Sequence, residues 1–190
     1  MKLTREAFIS YLDTKMTKKA SDHASADFEV IGDDIEEMTV ELNPDTEQSK
    51  NILGQTKTTD NGYEPSMDAD PFYADPDKKL YKPLRDIAYK RLKGDACKTL
   101  LLEVTVEDTG AENHLAYIRE VFVKPQSYGG GIEGHNIPFT VSEDGDFIEG
   151  YVSAASLKTG NPKFTEGTMP ALLSVDGTRT TSTRSRLASE

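Results

Sequence analysis

Residues 98–124 read KTLLLEVTVEDTGAENHLAYIREVFVK, and this stretch decides the fold class. From Lys98 to Asp108 apolar and polar side chains alternate, and from Leu115 to Lys124 apolar side chains occur on both faces. Alternation with a period of two predicts β-strands, and the loop Thr109–Asn113 suits a hairpin between them. The stretch therefore predicts two antiparallel strands that contribute to a core. The inward side chains of the first strand are Leu100, Leu102, Val104 and Val106.

A second pair of strands is predicted downstream. Ile137, Phe139 and Val141 alternate with other residues, and Asp144-Gly145 then leads into a further run that ends at Val152. Asp-Gly between two such runs is typical of a two-residue β-hairpin. We therefore expect a second antiparallel hairpin that turns at Asp144-Gly145.

Upstream of these strands, one strand and a long excursion are predicted. In Glu36–Asn43 the side chains of Met38, Val40 and Leu42 share one face, which predicts a half-buried strand. Residues 45–75 are then rich in turn formers and contain only short apolar pieces. Because excursions of this length in compact domains are usually functional, we interpret the segment as a binding arm.

Two helices are predicted. The longer runs from about Lys82 to Lys93, has a regular apolar stripe and carries Pro83 in its first turn, with Gly94 able to close its last turn in the left-handed conformation. A short helix is predicted at Thr4–Asp13, with Thr4 as its N-cap. The small, polar residues from Thr14 to Asp27 favour an extended or flexible connector.

The order of these elements predicts a mainly β fold with one flanking α-helix, a β-sandwich or partly open barrel that carries a long inter-strand arm. We divide the chain into three parts. Residues 1–27 are the N-terminal helix and connector, and residues 28–155 are the β-domain with its helix. Residues 156–190 form a Gly/Ser/Thr-rich tail that we expect to be flexible or arm-like.

The charge of the chain excludes some functions. With 33 acidic residues and a formal charge of -11, the protein lacks the basic surface that a nucleic-acid reader needs to displace counterions. An acidic wall is compatible with DNA that slides past, although a solvated acidic surface without any partner explains the charge equally well. Cys97 is the only cysteine, which excludes an intrachain disulfide and favours a reducing cytoplasm. We expect neither a signal peptide nor a membrane-spanning segment.

The residue patterns give little support for catalysis or metal binding. Four aspartates crowd one loop, but their spacing fails the EF-hand template, and the three histidines are far apart in sequence. Gly129-Gly130-Gly131 lacks the Lys-Ser/Thr and the helix of a phosphate-binding loop, and no serine has the nucleophile-elbow pattern. We therefore expect no enzyme activity, no cofactor and no metal. The residues concerned are Asp68, Asp70, Asp75, Asp77, His23, His114 and His135.

The segment Asn51–Asp75, NILGQTKTTDNGYEPSMDADPFYAD, resembles a recurring stretch of the tail tube (major tail) proteins of long-tailed, siphovirus-type bacteriophages of Gram-positive bacteria. In that family an Ile/Leu-Gly turn precedes a polar arm, a Gly-Tyr-x-Pro motif and an Asp-Pro-aromatic-Tyr-Ala entry to a helix. The matching residues here are 52–54, 62–65 and 70–74. The order of the later elements also agrees, so the resemblance covers about residues 35–152.

The resemblance implies a structural virion protein that self-assembles into stacked hexameric rings, forming the tube through which phage DNA passes. An arm between rings and strands that line the ring or its lumen would make the contacts. The arm residues would be Asp45, Ile52, Leu53, Gly54, Asp60, Asn61, Gly62 and Tyr63. The strand residues would be Glu37, Thr39, Glu41, Glu103, Thr105, Glu107 and Arg119.

The resemblance also implies other tail proteins as partners: the tape measure protein, the tail terminator and the distal tail protein. Assembly would take place in the host cytoplasm, and the product would be part of the virion. Three alternatives stay open. They are the tube of a contractile tail or of a phage-derived bacteriocin, a neck, baseplate or decoration module with an aromatic groove (Tyr63, Phe72, Tyr73 and Tyr81), and a metal-assisted hydrolase built on the aspartate loop.

Overall fold

The computed structural model describes residues 2–33, 35, 37–132 and 134–170. The described chain contains ten β-strands and two α-helices, besides three short 3₁₀ turns. The strands are β1 (Phe8–Asp13), β2 (Phe28–Ile31), β3 (Val40–Glu41), β4 (Pro44–Lys50), β5 (Thr56–Tyr63), β6 (Ser66–Ala69), β7 (Lys98–Thr105), β8 (Asn113–Pro125), β9 (Phe139–Ser153) and β10 (Phe164–Glu166). The helices are α1 (Tyr81–Lys90) and α2 (Ala154–Leu157).

Eight of the strands form one curled, open sheet. Its order is β2-β1-β7-β8-β9-β6-β3, and β10 pairs separately with β9. Every pairing is antiparallel, and β4 and β5 form a separate two-stranded sheet. The predicted mainly β fold with a flanking helix is confirmed, and of the two predicted architectures the structure matches the partly open barrel.

The sheet has a hydrophobic core on each face, because the central strand β7 is apolar on both of its sides. Leu101 packs with Leu12 and Val121 in a core that α1 covers. Leu100 and Leu102 belong to the core on the opposite face. Adjacent strand residues point to opposite faces, so the run of leucines in β7 joins the two cores. The predicted hairpin of β7 and β8 is confirmed, with Leu102 opposite Ile118.

Helix α1 covers one end of the sheet. Leu84 and Ile87 lie one turn apart and are buried in the core beneath it, as the predicted apolar stripe requires. The helix ends earlier than predicted, because Arg91 takes the left-handed conformation that closes it, with φ 51°. Gly94 also has a positive φ, of 59°, but it lies beyond the end of the helix. The Leu92 amide still reaches back to the Ile87 carbonyl at 3.1 Å.

The predicted N-terminal helix is wrong over most of its length. Only Arg5–Ala7 forms a 3₁₀ turn, and β1 follows directly, between β2 and β7 in the sheet. The Thr4 side chain caps nothing. Phe8, Ile9 and Leu12 have helical spacing, but in the strand Leu12 packs in one core and Ile9 packs against the other. Pairing with two distant strands decides in favour of the strand. The predicted connector contains a 3₁₀ turn at Ala20–Ser25.

The predicted hairpin turn at Asp144-Gly145 is also wrong. Strand β9 continues through both residues and pairs with β8 on either side of them. Arg119 faces Phe147 and Val121 faces Glu143, so three residues of β9 bulge out opposite a single residue of β8. Gly145 adopts φ 112° within this bulge, which explains why the sequence has a turn-forming glycine there.

The strand predicted at Glu36–Asn43 is much shorter in the structure. Only Val40–Glu41 pairs, with β6, and Glu36 lies outside the described residues. Met38 is buried as expected, but the Leu42 side chain is 56% exposed. The segment lies at the border of the sheet, where a partner on one side alone supports it. Of the predicted C-terminal tail, α2 and β10 lie within the described residues, and residues 171–190 lie outside them.

Candidate functional site: a projecting hairpin and two open sheet edges

The arm predicted after Asn43 is a β-hairpin, which we call the hairpin arm (Pro44–Tyr63). Every residue of β4 is exposed, and so is every residue of β5 except Gly62. The two strands pair with each other and with no other described strand. Seven residues of β4 span about 23 Å at roughly 3.3 Å per residue. The hairpin arm therefore projects from the sheet without a hydrophobic core of its own.

The tip of the hairpin arm (residues 51–55) is an ordered turn. The Asn51 carboxamide oxygen accepts hydrogen bonds from the amides of Leu53 at 3.0 Å and Gln55 at 2.9 Å. Gly54 adopts φ 78°, and its amide reaches the Asn51 carbonyl at 3.0 Å. The turn holds two large apolar side chains in solvent, with Ile52 103% and Leu53 78% exposed.

The root of the hairpin arm (residues 43–45 and 60–66) is fixed by side-chain hydrogen bonds. The Asn43 carboxamide donates to the Glu64 carbonyl and to the Ser66 hydroxyl, each at 3.1 Å. A bulge lies next to it, where the Asn61 carboxamide donates to the Asp45 carboxylate at 3.0 Å. These contacts set the direction in which the hairpin arm leaves the sheet.

The predicted arm residues thus fall into two groups at opposite ends of the hairpin arm. Ile52, Leu53 and Gly54 lie at the tip, and Tyr63 is exposed at the root. The other four, also at the root, are Asp45, Asp60, Asn61 and Gly62. The tip offers apolar contact surface, whereas the root positions the hairpin arm.

The main sheet ends in two strands with open outer edges, β2 and β3. Within the described residues, no strand pairs with the outer side of either. Unpaired strand edges carry free backbone donors and acceptors that can pair with another chain. Three predicted ring residues, Glu37, Thr39 and Glu41, are exposed beside β3 and line a hollow of about 270 Å³ with Ser66 and Asp68.

The remaining predicted ring residues have different surroundings. Glu103 is 7% exposed and Thr105 is half-buried, whereas Glu107 is exposed beyond the end of β7. Arg119 Nε lies 2.7 Å from Glu103 Oε2, and Arg119 Nη1 lies 3.2 Å from Glu143 Oε2. Glu103 and Arg119 therefore form a partly buried ion-pair cluster with Glu143, which sequence reasoning missed.

The cluster contains two carboxylates and one guanidinium. Burial raises the pKa of the Glu143 carboxyl, and Arg119 only partly offsets this effect. Burial opposes the charge of Arg119, but its hydrogen bond to Glu103 and its attraction to both carboxylates raise its pKa overall. The guanidinium also lies 5.7 Å from the Tyr117 ring centre and 5.4 Å from that of Phe147. The register that brings Glu143 here depends on the β9 bulge, which no local sequence pattern indicated.

The residues considered for metal binding have other contacts. Asp75 accepts from the Asp77 amide at 2.9 Å in a local turn, and Asp68 accepts from the Thr140 hydroxyl at 2.6 Å. In the described ranges, no three His, Cys, Asp or Glu side chains are arranged to hold a metal ion. None of the described helices is long and apolar enough to cross a membrane.

The histidines and aromatic residues considered above are dispersed. His23 contacts Phe164, His114 is buried in β8, and His135 lies 3.3 Å from the Tyr89 hydroxyl. Phe72 is buried against Phe139, and Tyr81 packs against the core below α1. Tyr73 is half-buried and forms a β-bridge with Asn136, whereas Tyr63 is exposed on the hairpin arm. The four aromatic residues therefore do not line a common groove.

A comparison with protein-family models finds no match, and a comparison with curated proteins finds none either. Among solved structures, the chain is similar to the sheath/tube terminator of an extracellular contractile injection system, PVC, in its extended state (13% identity, TM-score 0.45, 78% of this chain and 96% of that one). It is also similar to a chain in the tail of an empty GTA particle (11% identity, TM-score 0.44, 77% of this chain and 97% of that one). A third similar structure is the SPP1 tail tube (10% identity, TM-score 0.46, 78% of this chain and 78% of that one).

Proposed function

We propose that this chain is a structural subunit of a phage tail tube that self-assembles through its hairpin arm and its open sheet edges. The observation that carries the proposal is the hairpin arm, a 20-residue projection without a core whose tip exposes Ile52 and Leu53. An isolated two-stranded hairpin is at best marginally stable in water. A partner that covers the apolar tip would stabilise it, and in a homopolymer that partner is another copy of the chain.

The open edges support the same proposal. Strands β2 and β3 lie at the two ends of one sheet, so a copy on each side could extend the sheet in both directions. A head-to-tail interface of this kind closes into a ring when the rotation between copies is a simple fraction of a turn. Together with the sequence resemblance, this favours hexameric rings that stack into a tube, with the hairpin arm making contacts between rings.

The charge of the chain suits a tube that conducts DNA. The formal charge is -11, and the exposed β3 border carries Glu37, Glu41 and Asp68. Acidic walls repel the phosphate backbone, so DNA can pass without binding. In this proposal the tape measure protein, the tail terminator and the distal tail protein are the further partners, and the chain itself has no catalytic role.

The experiment is to concentrate the purified chain and to follow its mass by light scattering and its shape by negative-stain electron microscopy. Rings with sixfold symmetry, or tubes built from them, are the expected result. A chain that stays monomeric at every concentration and ionic strength would contradict the proposal. As a control, residues 46–60 are replaced by a short Gly-Ser linker; because β4 and β5 pair with no strand of the main sheet, this variant should fold and form rings that do not stack into tubes.

A further inference from the structure

A cavity of about 290 Å³ opens between β1, β2 and the segment that follows β2. Most of its lining is apolar, from Phe8, Ile9, Val30, Ile31, Ile35 and Met38. A cavity of about 150 Å³ is large enough for benzene, so this one has room for two branched aliphatic side chains. We call it the β1–β2 cavity.

Ser10 lies in the wall of this cavity and carries an unsatisfied polar group. It is 1% exposed, so its Oγ lies behind the cavity surface, and this oxygen has no hydrogen-bond partner among the described residues. Buried hydroxyl groups are normally hydrogen-bonded, because leaving one without a partner costs its desolvation energy. Because this oxygen is buried, the choice of an occupant rests on the apolar lining and the charge of the cavity.

The charged residues that line the β1–β2 cavity are exposed and net acidic. Arg5 is engaged by backbone carbonyls, since its guanidinium donates to Phe8 at 2.6 Å and to Met38 at 3.0 Å. Glu6 and Asp33 are the two carboxylates, and Asp33 also pairs with Lys78 at 3.2 Å while remaining largely exposed. The cavity therefore favours an apolar occupant with positive charge next to it.

The tip of the hairpin arm has these properties. Ile52 and Leu53 are adjacent and exposed, and Lys50 and Lys57 flank them on β4 and β5. The Asn51 hydrogen bonds already fix the turn, so docking costs little further conformational entropy. Because Ile52 is exposed in this chain, the tip does not occupy the cavity of its own copy.

Three other cavities fit the tip less well. One beside Met169 has a volume of about 100 Å³, which is too small for both side chains. The cavity at the root of the hairpin arm, of about 590 Å³, is lined largely by polar groups. The hollow beside β3 is lined by Glu37, Glu41 and Asp68 and offers no apolar wall.

We propose that Ile52 and Leu53 of one copy insert into the β1–β2 cavity of a second copy, with Lys50 and Lys57 next to Glu6 and Asp33. This inference rests on the proposed function, because it names the surface that receives the hairpin arm. The contact is head-to-tail, so each copy donates one tip and receives another. It therefore propagates from copy to copy along the assembly.

A complementation experiment tests the contact. A tip variant, Ile52→Ser with Leu53→Ser, retains its cavity, and a cavity variant, Ile35→Arg, retains its tip. Each variant alone should form rings that do not stack into tubes, as measured by light scattering and electron microscopy. Their mixture should form pairs of stacked rings, because the intact tips of one variant meet the intact cavities of the other. The matched control is Ile132→Ser, which changes an isoleucine that is 107% exposed outside the hairpin arm and should assemble like the wild type.

A charge exchange tests the orientation of the tip. Lys50→Glu with Lys57→Glu should raise the concentration needed for assembly about tenfold, because two favourable ion pairs become repulsive. Glu6→Lys with Asp33→Lys should have a similar effect. All four substitutions in one chain should restore assembly, and circular dichroism checks that each variant is folded.

The outcomes separate this inference from the proposed function. A wild-type chain that never assembles contradicts the proposed function and the inference together. A wild-type chain that assembles, with tip and cavity variants that assemble equally well, contradicts the inference alone. The inference also fails if the tip and cavity variants do not associate when mixed. It fails likewise if the variant that carries all four charge substitutions does not recover assembly.

Discussion

Arg119 Nε lies 2.7 Å from Glu103 Oε2 across two neighbouring strands of the sheet, and this pair is partly buried. Glu103 faces Tyr117 in the register, so the ion pair joins diagonal neighbours of β7 and β8. A second carboxylate, Glu143 of β9, reaches the same guanidinium at 3.2 Å. The cluster therefore links three consecutive strands of the sheet and provides the first two tests below.

Arg119→Met should destabilise the fold by about 2–4 kcal/mol, because it leaves the carboxylate of Glu103 buried without its partner. Chemical denaturation measures the loss as a lower midpoint with an unchanged slope. The control is Lys90→Ala, which removes an exposed pair with Asp86 and should change the free energy of unfolding by less than about 0.5 kcal/mol. If the two substitutions lowered the free energy of unfolding equally, the partial burial of the Glu103–Arg119 pair would be contradicted.

Glu143 should make the stability of the protein depend on pH. Its pKa is raised from the ordinary 4.5, mainly by burial, so the folded state binds the proton at a higher pH than the unfolded state does. The contribution of Glu143 to stability is therefore fully present below about pH 4.5 and falls as pH rises through the raised pKa. Chemical denaturation of the wild type and of Glu143→Gln between about pH 4 and 7 measures the difference in their free energies of unfolding. As pH rises, the variant should become more stable relative to the wild type. A difference in unfolding free energy that does not change with pH would contradict the raised pKa of Glu143.

Local patterns predicted the elements whose partners are near in sequence. The alternation of apolar and polar residues predicted β7 and β8, which a short loop connects. The apolar stripe of residues at helical spacing predicted α1. A helix is predicted at Thr4–Asp13 from the helical spacing of Phe8, Ile9 and Leu12, whereas β1 forms there because it pairs with β2 and with the distant β7. The turn signal at Asp144-Gly145 was overridden by continuous pairing with β8, which a bulge preserves.

The candidate site was predicted only in outline. Turn formers after Asn43 indicated an arm, but the pairing of Ser49 with Lys57 follows no hydrophobic alternation that a sequence could reveal. The β1–β2 cavity was not predicted at all. Ser10 belongs to a segment that was assigned to a helix, and its burial depends on strands paired on both sides of it.

Leu102→Ala should cost about 2–5 kcal/mol, because Leu102 is fully buried in the core where β7 meets β8 and the substitution leaves a cavity. Leu42→Ala is the matched control, since Leu42 lies beside the short strand β3 with more than half of its surface exposed. Its effect on the free energy of unfolding should stay within about 0.5 kcal/mol. A large loss for Leu42→Ala would mean that the β3 border belongs to the core.

Gly54→Val should separate assembly from folding. The positive φ of Gly54 disfavours a β-branched side chain, so the substitution distorts the tip that presents Ile52 and Leu53. The thermal midpoint of the monomer should stay the same, because the hairpin arm does not contribute to the core of the sheet. The concentration needed for assembly should rise. A lower thermal midpoint would instead show that the hairpin arm supports the main sheet.

Between Val40 and Ser153, trypsin should cut the free chain first at Lys50 or Lys57. Both lysines lie on the hairpin arm, whose strands are exposed and lack a core, so local opening there is less costly than in the main sheet. In assembled protein the same sites should be protected, because the tip is covered by a neighbouring copy and the strands are held closed. Mass spectrometry of the first fragments, taken from monomer and assembly at equal protein concentration, measures both effects. The control site is Lys90 at the exposed end of α1, where assembly through the hairpin arm should leave the cleavage rate unchanged. Equal cleavage of the hairpin arm in monomer and assembly would contradict its burial between copies.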